Sequence, residues 1–185
     1  MSETRQLVAA LLEHLLLEGE EAHRRVLLLV DPLNDEQLRW RPRPSAPSIG
    51  FHLWHLARWA DYDAQLIDSR PQIWEYRGLA PQWGMQPAGL GEAETGTEMG
   101  DEASERLSWP DSAALLGYAR EAFAARHDAI QGLAPESLLE GIQSPHIGDD
   151  SKLDLLFTHL SHDNRHLGMI ESIRGFLGLR GTATR

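Results

Sequence analysis

Cysteine is absent from the 185-residue sequence, and this absence excludes several kinds of chemistry. The protein can have no disulfide framework, no zinc site built from thiolates and no thiol nucleophile of its own. If a thiol takes part in the chemistry of this protein, that thiol arrives with a substrate.

Positive charge is also scarce. The 17 lysines and arginines face 28 acidic residues, which gives a formal net charge of −11, and the basic residues form no stripe along the sequence. Binding to nucleic acid or to an anionic membrane surface needs clustered lysine and arginine. We therefore expect neither as a partner, and expect a small-molecule substrate instead.

Long uninterrupted apolar runs are missing too. The leucine-rich stretch 7–17 resembles the core of a signal peptide, but Glu13 and His14 interrupt it and no small-residue cleavage site follows. No apolar run approaches the ~18 residues that a membrane-spanning helix needs. These absences predict a soluble first helix and, by default, a cytoplasmic protein.

Four long segments have helical periodicity. Apolar residues make up 42% of the sequence, which is enough for one ordinary domain over residues 1–185. Apolar side chains recur at spacings of three and four, and the segments run over residues 3–30, 49–67, about 109–131 and 152–177. We take Ser108 as the N-cap of the third segment, with Pro110 in its first turn. The predicted fold is all-α, a four-helix bundle.

The connection between the second and third helices, residues 68–107, is unusually long. Antiparallel neighbours in a bundle are joined by ~2 to 8 residues. We therefore predict a long crossover, a lid or part of a site. Its first half has large apolar side chains to bury, namely Trp74, Tyr76, Leu79, Trp83 and Met85.

The first helix carries more leucine than one buried face requires. Several leucines lie partly outside its apolar stripe, namely Leu11, Leu16, Leu17, Leu27 and Leu28. A helix of this kind either sits centrally or buries a second face against another subunit. We therefore predict a possible homodimer.

Histidines form the most informative pattern in the chain. His162 and His166 are four residues apart on the predicted fourth helix, so their side chains lie one turn above the other and can chelate one transition metal. A bundle interior is a usual place for such a metal, with further ligands from facing helices. His52 and His55 on the second helix both qualify as the third ligand, and periodicity does not choose between them.

Two segments around these histidines resemble a known family. Residues 47–57 (PSIGFHLWHLA) and 162–168 (HDNRHLG) are similar to the DinB superfamily, metal-binding four-helix bundles related to bacillithiol and mycothiol transferases. The similarity extends to residues 95–99 and 171–178. The resemblance implies that His55, His162 and His166 are the metal ligands, and it leaves His52 and His159 outside the set.

Three neutral imidazoles leave a metal with an open coordination position, as in catalytic sites. Imidazole suits zinc, nickel and iron, so each of these metals stays open. A bound ion of this kind makes water or a thiol nucleophilic near neutral pH. We predict a metal-dependent thiol S-transferase or hydrolase that uses a low-molecular-weight thiol or water against a small electrophile. Candidate pocket residues are His159, Trp59 and Trp83.

Two alternatives stay open at this point. The first is a non-catalytic metal-binding or stress-response bundle with the same three histidines. The second is a purely structural bundle, in which the histidines satisfy one another and no metal binds. For His52 the pattern favours simple packing, and for His159 it favours a place in the pocket or a hydrogen bond to a ligand imidazole.

Overall fold

The computed structural model describes residues 3–144, 146 and 150–182, and within them the chain forms helices and no β-strand. In chain order the α-helices are α1 (Glu3–Val30), α2 (Asp35–Arg39), α3 (Ile49–Asp68), α4 (Ile73–Tyr76), α5 (Leu79–Gln82), α6 (Asp101–Glu105), α7 (Ser112–Gln131) and α8 (Lys152–Phe176). The long helices α1, α3, α7 and α8 pack together as a bundle. The predicted all-α four-helix fold is confirmed.

Side-chain caps fix where two of the long helices begin. The Ser48 hydroxyl accepts a hydrogen bond from the backbone N–H of Phe51 at the start of α3. At the start of α8, Ser151 and Asp154 form a reciprocal capping box. Such caps satisfy backbone donors that the first turn of a helix leaves without partners. Both starts agree with the sequence prediction.

The predicted start of the third long helix is wrong. Asp111, rather than Ser108, is the N-cap of α7, and its carboxylate accepts a hydrogen bond from the backbone N–H of Ala114. A helix beginning after Ser108 would require helical geometry at Trp109, the residue before Pro110. Proline disfavours that geometry in the preceding residue, so the helix begins after the proline.

Helix α3 is the most deeply buried element. All but three of its 20 residues are buried, and it contacts α1, α7 and α8. Among the buried residues are five polar ones: His52, His55, Arg58, Asp61 and Asp63. Buried polar groups need hydrogen-bond partners. The partners of these five side chains form both the candidate site and the cover over it.

A buried cluster of charges lies inside the bundle. Nη1 of Arg126, on α7, lies 2.6 Å from Oδ2 of Asp163 on α8, and its Nε lies 3.0 Å from Oδ2 of Asp63 on α3. His23 of α1 brings its Nε2 to 3.2 Å from Oδ2 of Asp163. Burial is the largest single influence and acts to raise the pKa of Asp163, but the charges of Arg126 and His23 and the neighbouring histidine N–H groups together outweigh it and hold that pKa well below its usual range. All four long helices thus meet at one charge cluster.

The crossover between α3 and α7 folds back onto α3. Asp61 accepts hydrogen bonds from the backbone N–H groups of Ile73 and Trp74, each at 2.8 Å. Trp74 and Met85 are buried as predicted, whereas Tyr76 is 60% exposed. The crossover therefore forms a packed cover.

A turn in the crossover is held by Arg58. Its Nε and Nη2 donate to the carbonyls of Glu94 and Ala93, at 2.9 and 3.0 Å. Ala93 and Glu94 both have positive φ, 47° and 53°, a conformation that non-glycine residues adopt at some cost. At Gly96 (φ 89°) an added Cβ would lie 2.7 Å from the Trp54 ring, so only glycine fits there.

The exposure of the leucines on α1 agrees in part with the prediction that several of them lie outside the buried face. Leu17 and Leu28 are 53% and 51% exposed, while Leu11, Leu16 and Leu27 are partly buried. The homodimer stays a prediction.

Among the described residues no helix is both long and apolar enough to cross a membrane.

We expect Arg126→Met to destabilise the fold strongly. The substitution leaves Asp63 and Asp163 buried without their counter-charge, which costs about 3 to 5 kcal/mol for a buried pair. Urea unfolding followed by circular dichroism measures the loss. The control is Arg24→Met, which removes an exposed ion pair with Glu21 and should leave the unfolding midpoint nearly unchanged. Equal midpoints for the two variants would contradict this account of the cluster.

Candidate metal centre

Three imidazoles from two helices meet inside the bundle. His55 lies in the middle of α3, and His162 and His166 lie one turn apart on α8. One ring nitrogen from each residue falls within 4.8 Å of the others. Nε2 of His55 and Nε2 of His162 lie 2.8 Å apart. Of the two histidines that sequence left open on this helix, His55 joins the group and His52 does not.

The Nδ1 side of His55 is occupied by a backbone carbonyl. Nδ1 donates a hydrogen bond of 2.6 Å to the carbonyl oxygen of Thr95, a fully buried residue in the crossover. A neutral imidazole carries one N–H, so this bond leaves the lone pair on Nε2, which faces the other histidines. A carbonyl partner of this kind typically orients a metal-binding histidine.

His166 has a histidine as its partner. Its Nδ1 lies 2.9 Å from Nδ1 of His52, so one of these nitrogens donates to the other. If His166 donates, its Nε2 lone pair is free to face His55 and His162. The sequence favoured simple packing for His52. The structure instead gives His52 the hydrogen bond to a candidate ligand.

The third imidazole lacks such a partner. Nδ1 of His162 is buried and forms no hydrogen bond with a described residue. It lies 3.6 Å from Oδ1 of Asp163, beyond normal hydrogen-bond distance.

Burial keeps His52, His55 and His166 uncharged near neutral pH. It lowers the pKa of His55 to about 3, with the neighbouring His162 as a further cause. It lowers the pKa of His166 to about 2, helped by repulsion from His55 and His162. The pKa of His52 falls to about 4, again mainly through burial. Neutral imidazoles have free lone pairs, which is the form that binds a metal.

A cavity of about 540 Å³ opens beside the three histidines. This is within the ~300 to 1,000 Å³ range of sites for small molecules. His159 and Trp59, two of the candidate pocket residues named from the sequence, line it together with Arg165 and Met169. Trp83 lies elsewhere, packed edge-on against Trp74 and close to Tyr118.

His159 is held in place by a buried carboxylate. Its Nδ1 lies 2.5 Å from Oδ2 of Asp63, which also pairs with Arg126. The Trp59 ring packs against the imidazole at a centroid distance of 4.8 Å. With Nδ1 bound to Asp63, the Nε2 edge of His159 is left for the cavity. His159 thus lines the pocket, which was one of its two expected roles.

Sequence reasoning missed Thr95, Asp63, Asp163 and Arg126 as parts of the site. One sequence signal could have identified the two aspartates. Each is a charged residue within a helix that also carries candidate histidine ligands and that is apolar on its buried face. Asp163 directly follows His162, and Asp63 lies on the helix of His55. The family resemblance extends to residues 95–99, but it assigned no role to Thr95, whose contribution is a backbone carbonyl.

Comparison with known families agrees with this fold and with the sequence resemblance. A family model described as the DinB superfamily matches residues 18–170. The chain therefore belongs to the DinB superfamily.

Comparison with solved structures supports the same fold. The crystal structure of a conserved protein from Enterococcus faecalis superimposes with a TM-score of 0.75 over 88% of this chain and 94% of that chain. The two sequences are 15% identical, so the similarity shows the fold alone. No curated protein matches the sequence.

Mild acid is expected to destabilise the metal-free protein. The pKa values of His52, His55, His166 and His127 are lowered from 6.5 to between about 2 and 4, mainly by burial. Below about pH 6.5 the unfolded chain therefore binds more protons than the folded chain, and the free energy of unfolding falls as pH falls. The slope is about 1.4 kcal/mol per pH unit for each such histidine.

Urea midpoints at about pH 7 and about pH 5.5 measure this effect. His127→Gln removes one titrating group outside the histidine cluster and should make the pH dependence shallower. A midpoint that stays constant between the two pH values would show that these histidines are not buried in neutral form.

Proposed function

We propose that His55, His162 and His166 bind one divalent transition metal through their Nε2 atoms, and that the protein is a metal-dependent enzyme. The observation that carries the proposal is the buried Nδ1 atom of His162, which has no hydrogen bond among the described residues. Proton positions around this atom distinguish a metal centre from a set of mutually hydrogen-bonded histidines.

Without a cation, the 2.8 Å contact between His55 and His162 must be a hydrogen bond. His55 already carries its proton on Nδ1, because that atom donates to Thr95, so the shared proton must belong to Nε2 of His162. Nδ1 of His162 would then turn a lone pair toward the Asp163 carboxylate with no donor available. An unsatisfied buried acceptor of this kind costs about 1 to 3 kcal/mol.

A cation at the centre removes this conflict. His162 would then carry its proton on Nδ1, facing the negative carboxylate of Asp163, and its Nε2 lone pair would point inward. All three imidazoles would adopt the same tautomer, with Thr95, Asp163 and His52 as the groups around their N–H edges. The donor set suits zinc, nickel or iron, and three neutral ligands leave one position for a reactant.

The chemistry that such an ion supplies is activation of water or a thiol as a nucleophile near neutral pH. Because the chain has no cysteine, a thiol would come from a low-molecular-weight co-substrate. In the reaction we propose, the sulfur or oxygen of the nucleophile forms a bond to an electrophilic carbon. The leaving group departs with the electron pair of its bond, and the proton of the nucleophile passes to the leaving group or to solvent.

Residues of the cavity provide binding and orientation for such a reaction. One wall of the cavity beside the histidines is apolar and consists of Trp59, Leu155 and Met169. His159, fixed by Asp63, presents its free ring edge to the same space. A small electrophilic molecule fits a cavity of this volume and lining. This supports a thiol S-transferase or hydrolase.

We expect purified protein, loaded with zinc and desalted, to retain about one ion per chain by elemental analysis. His162→Gln should lose this metal, because it removes one of three ligands. His14→Gln changes an exposed histidine on α1 and should retain it. Equal metal content in the two variants would exclude the proposed site.

Turnover tests the catalytic part of the proposal separately. We expect the metal-loaded protein to consume a small electrophile in the presence of bacillithiol, mycothiol, glutathione or water, and His162→Gln to abolish this activity. A protein that holds metal at the three histidines but turns over none of these combinations would be a metal-binding bundle without catalysis.

A further inference from the structure

The wall of the histidine cavity carries charged side chains that no described residue neutralises. Arg165 on α8, Glu92 in the crossover and Asp150 before α8 all line it. Their side chains form no hydrogen bond or ion pair with a described residue. Counting only the part of the chain that the structure describes, the cavity therefore has one unpaired cation, on the helix that carries two of the histidines, and unpaired anions on other segments.

Most described arginines of this acidic chain form an ion pair with a carboxylate. Surface arginines elsewhere find carboxylates, for example Arg77 with Glu121 and Arg120 with Asp31. Among the described residues Arg41, Arg43 and Arg180 also lack an ion pair, but none of the three lines the histidine cavity. Arg165 combines an unpaired guanidinium with a place in the candidate site.

The position of Arg165 defines where an anion would bind. It directly precedes His166 on α8 and lines the same cavity as the three histidines. A guanidinium offers a planar pair of N–H donors that matches a carboxylate. Glu92 and Asp150 would repel an anion, so the carboxylate end of a ligand is favoured on the α8 side.

We propose that Arg165 binds the carboxylate of the thiol co-substrate, so that the thiol used at this site is an anionic one. This inference rests on the proposed metal-dependent function and adds a specificity residue to it. The carboxylate contacts Arg165 while the sulfur end lies at the three histidines.

Two small thiols that differ in charge test the proposal on cobalt-loaded protein. Mercaptopropionate carries a carboxylate, and mercaptoethanol carries a neutral hydroxyl in its place. Titration of each, followed by the sulfur-to-cobalt charge-transfer absorption, gives their dissociation constants without any need for turnover. We expect the preference for mercaptopropionate to fall about fivefold in Arg165→Gln, the scale of a partly exposed ion pair.

Arg43→Gln is the matched control, because it removes an equal charge from an arginine that also lacks an ion pair but lies outside the cavity. It should keep the wild-type preference. If both thiols bind wild-type protein equally, or if Arg165→Gln keeps the preference, the role of Arg165 is excluded while the metal site stands. If cobalt binds at the histidines but no thiol changes its spectrum, the thiol reaction itself fails, and the role of Arg165 fails with it.

Discussion

The ion pairs of Arg126 with two buried carboxylates set the positions of the candidate metal-binding groups. Asp63 belongs to α3 and Asp163 to α8, the two helices that carry the clustered histidines. A buried charge separated from its partner is strongly unfavourable, so the two helices are held in one register relative to each other. That register brings His55 opposite His162. The charge cluster and the histidine cluster therefore depend on the same packing of α3 against α8.

Each candidate ligand is oriented by a different element of the fold. The crossover provides the Thr95 carbonyl for His55, α3 provides His52 for His166, and Asp163 of the charge cluster stands beside His162. The crossover turn has its shape because Arg58 binds two of its carbonyls. The long crossover between α3 and α7 thus covers the bundle and orients the imidazole of His55.

Local signals in the sequence predicted the elements well. Helical periodicity located α3 and α8, and a spacing of four residues placed His162 one turn from His166. Spacing could not distinguish His52 from His55, because residues three positions apart on a helix lie on the same face. Which of the two faces His162 depends on how α3 packs against α8. The sequence also could not predict the positive φ values of Ala93 and Glu94. Non-glycine residues rarely adopt such values, and here hydrogen bonds from the distant Arg58 stabilise them.

The most direct test of the three-histidine metal site is the tautomer of His162, read by long-range proton–nitrogen correlation NMR of the imidazole rings. Zinc addition should move the His162 proton from Nε2 to Nδ1, while His159, bound to Asp63, keeps its proton on Nδ1. All three clustered imidazoles would then show coordinated Nε2 atoms. A His162 ring that keeps its proton on Nε2 in the presence of zinc would contradict the account, because that nitrogen could not be a ligand.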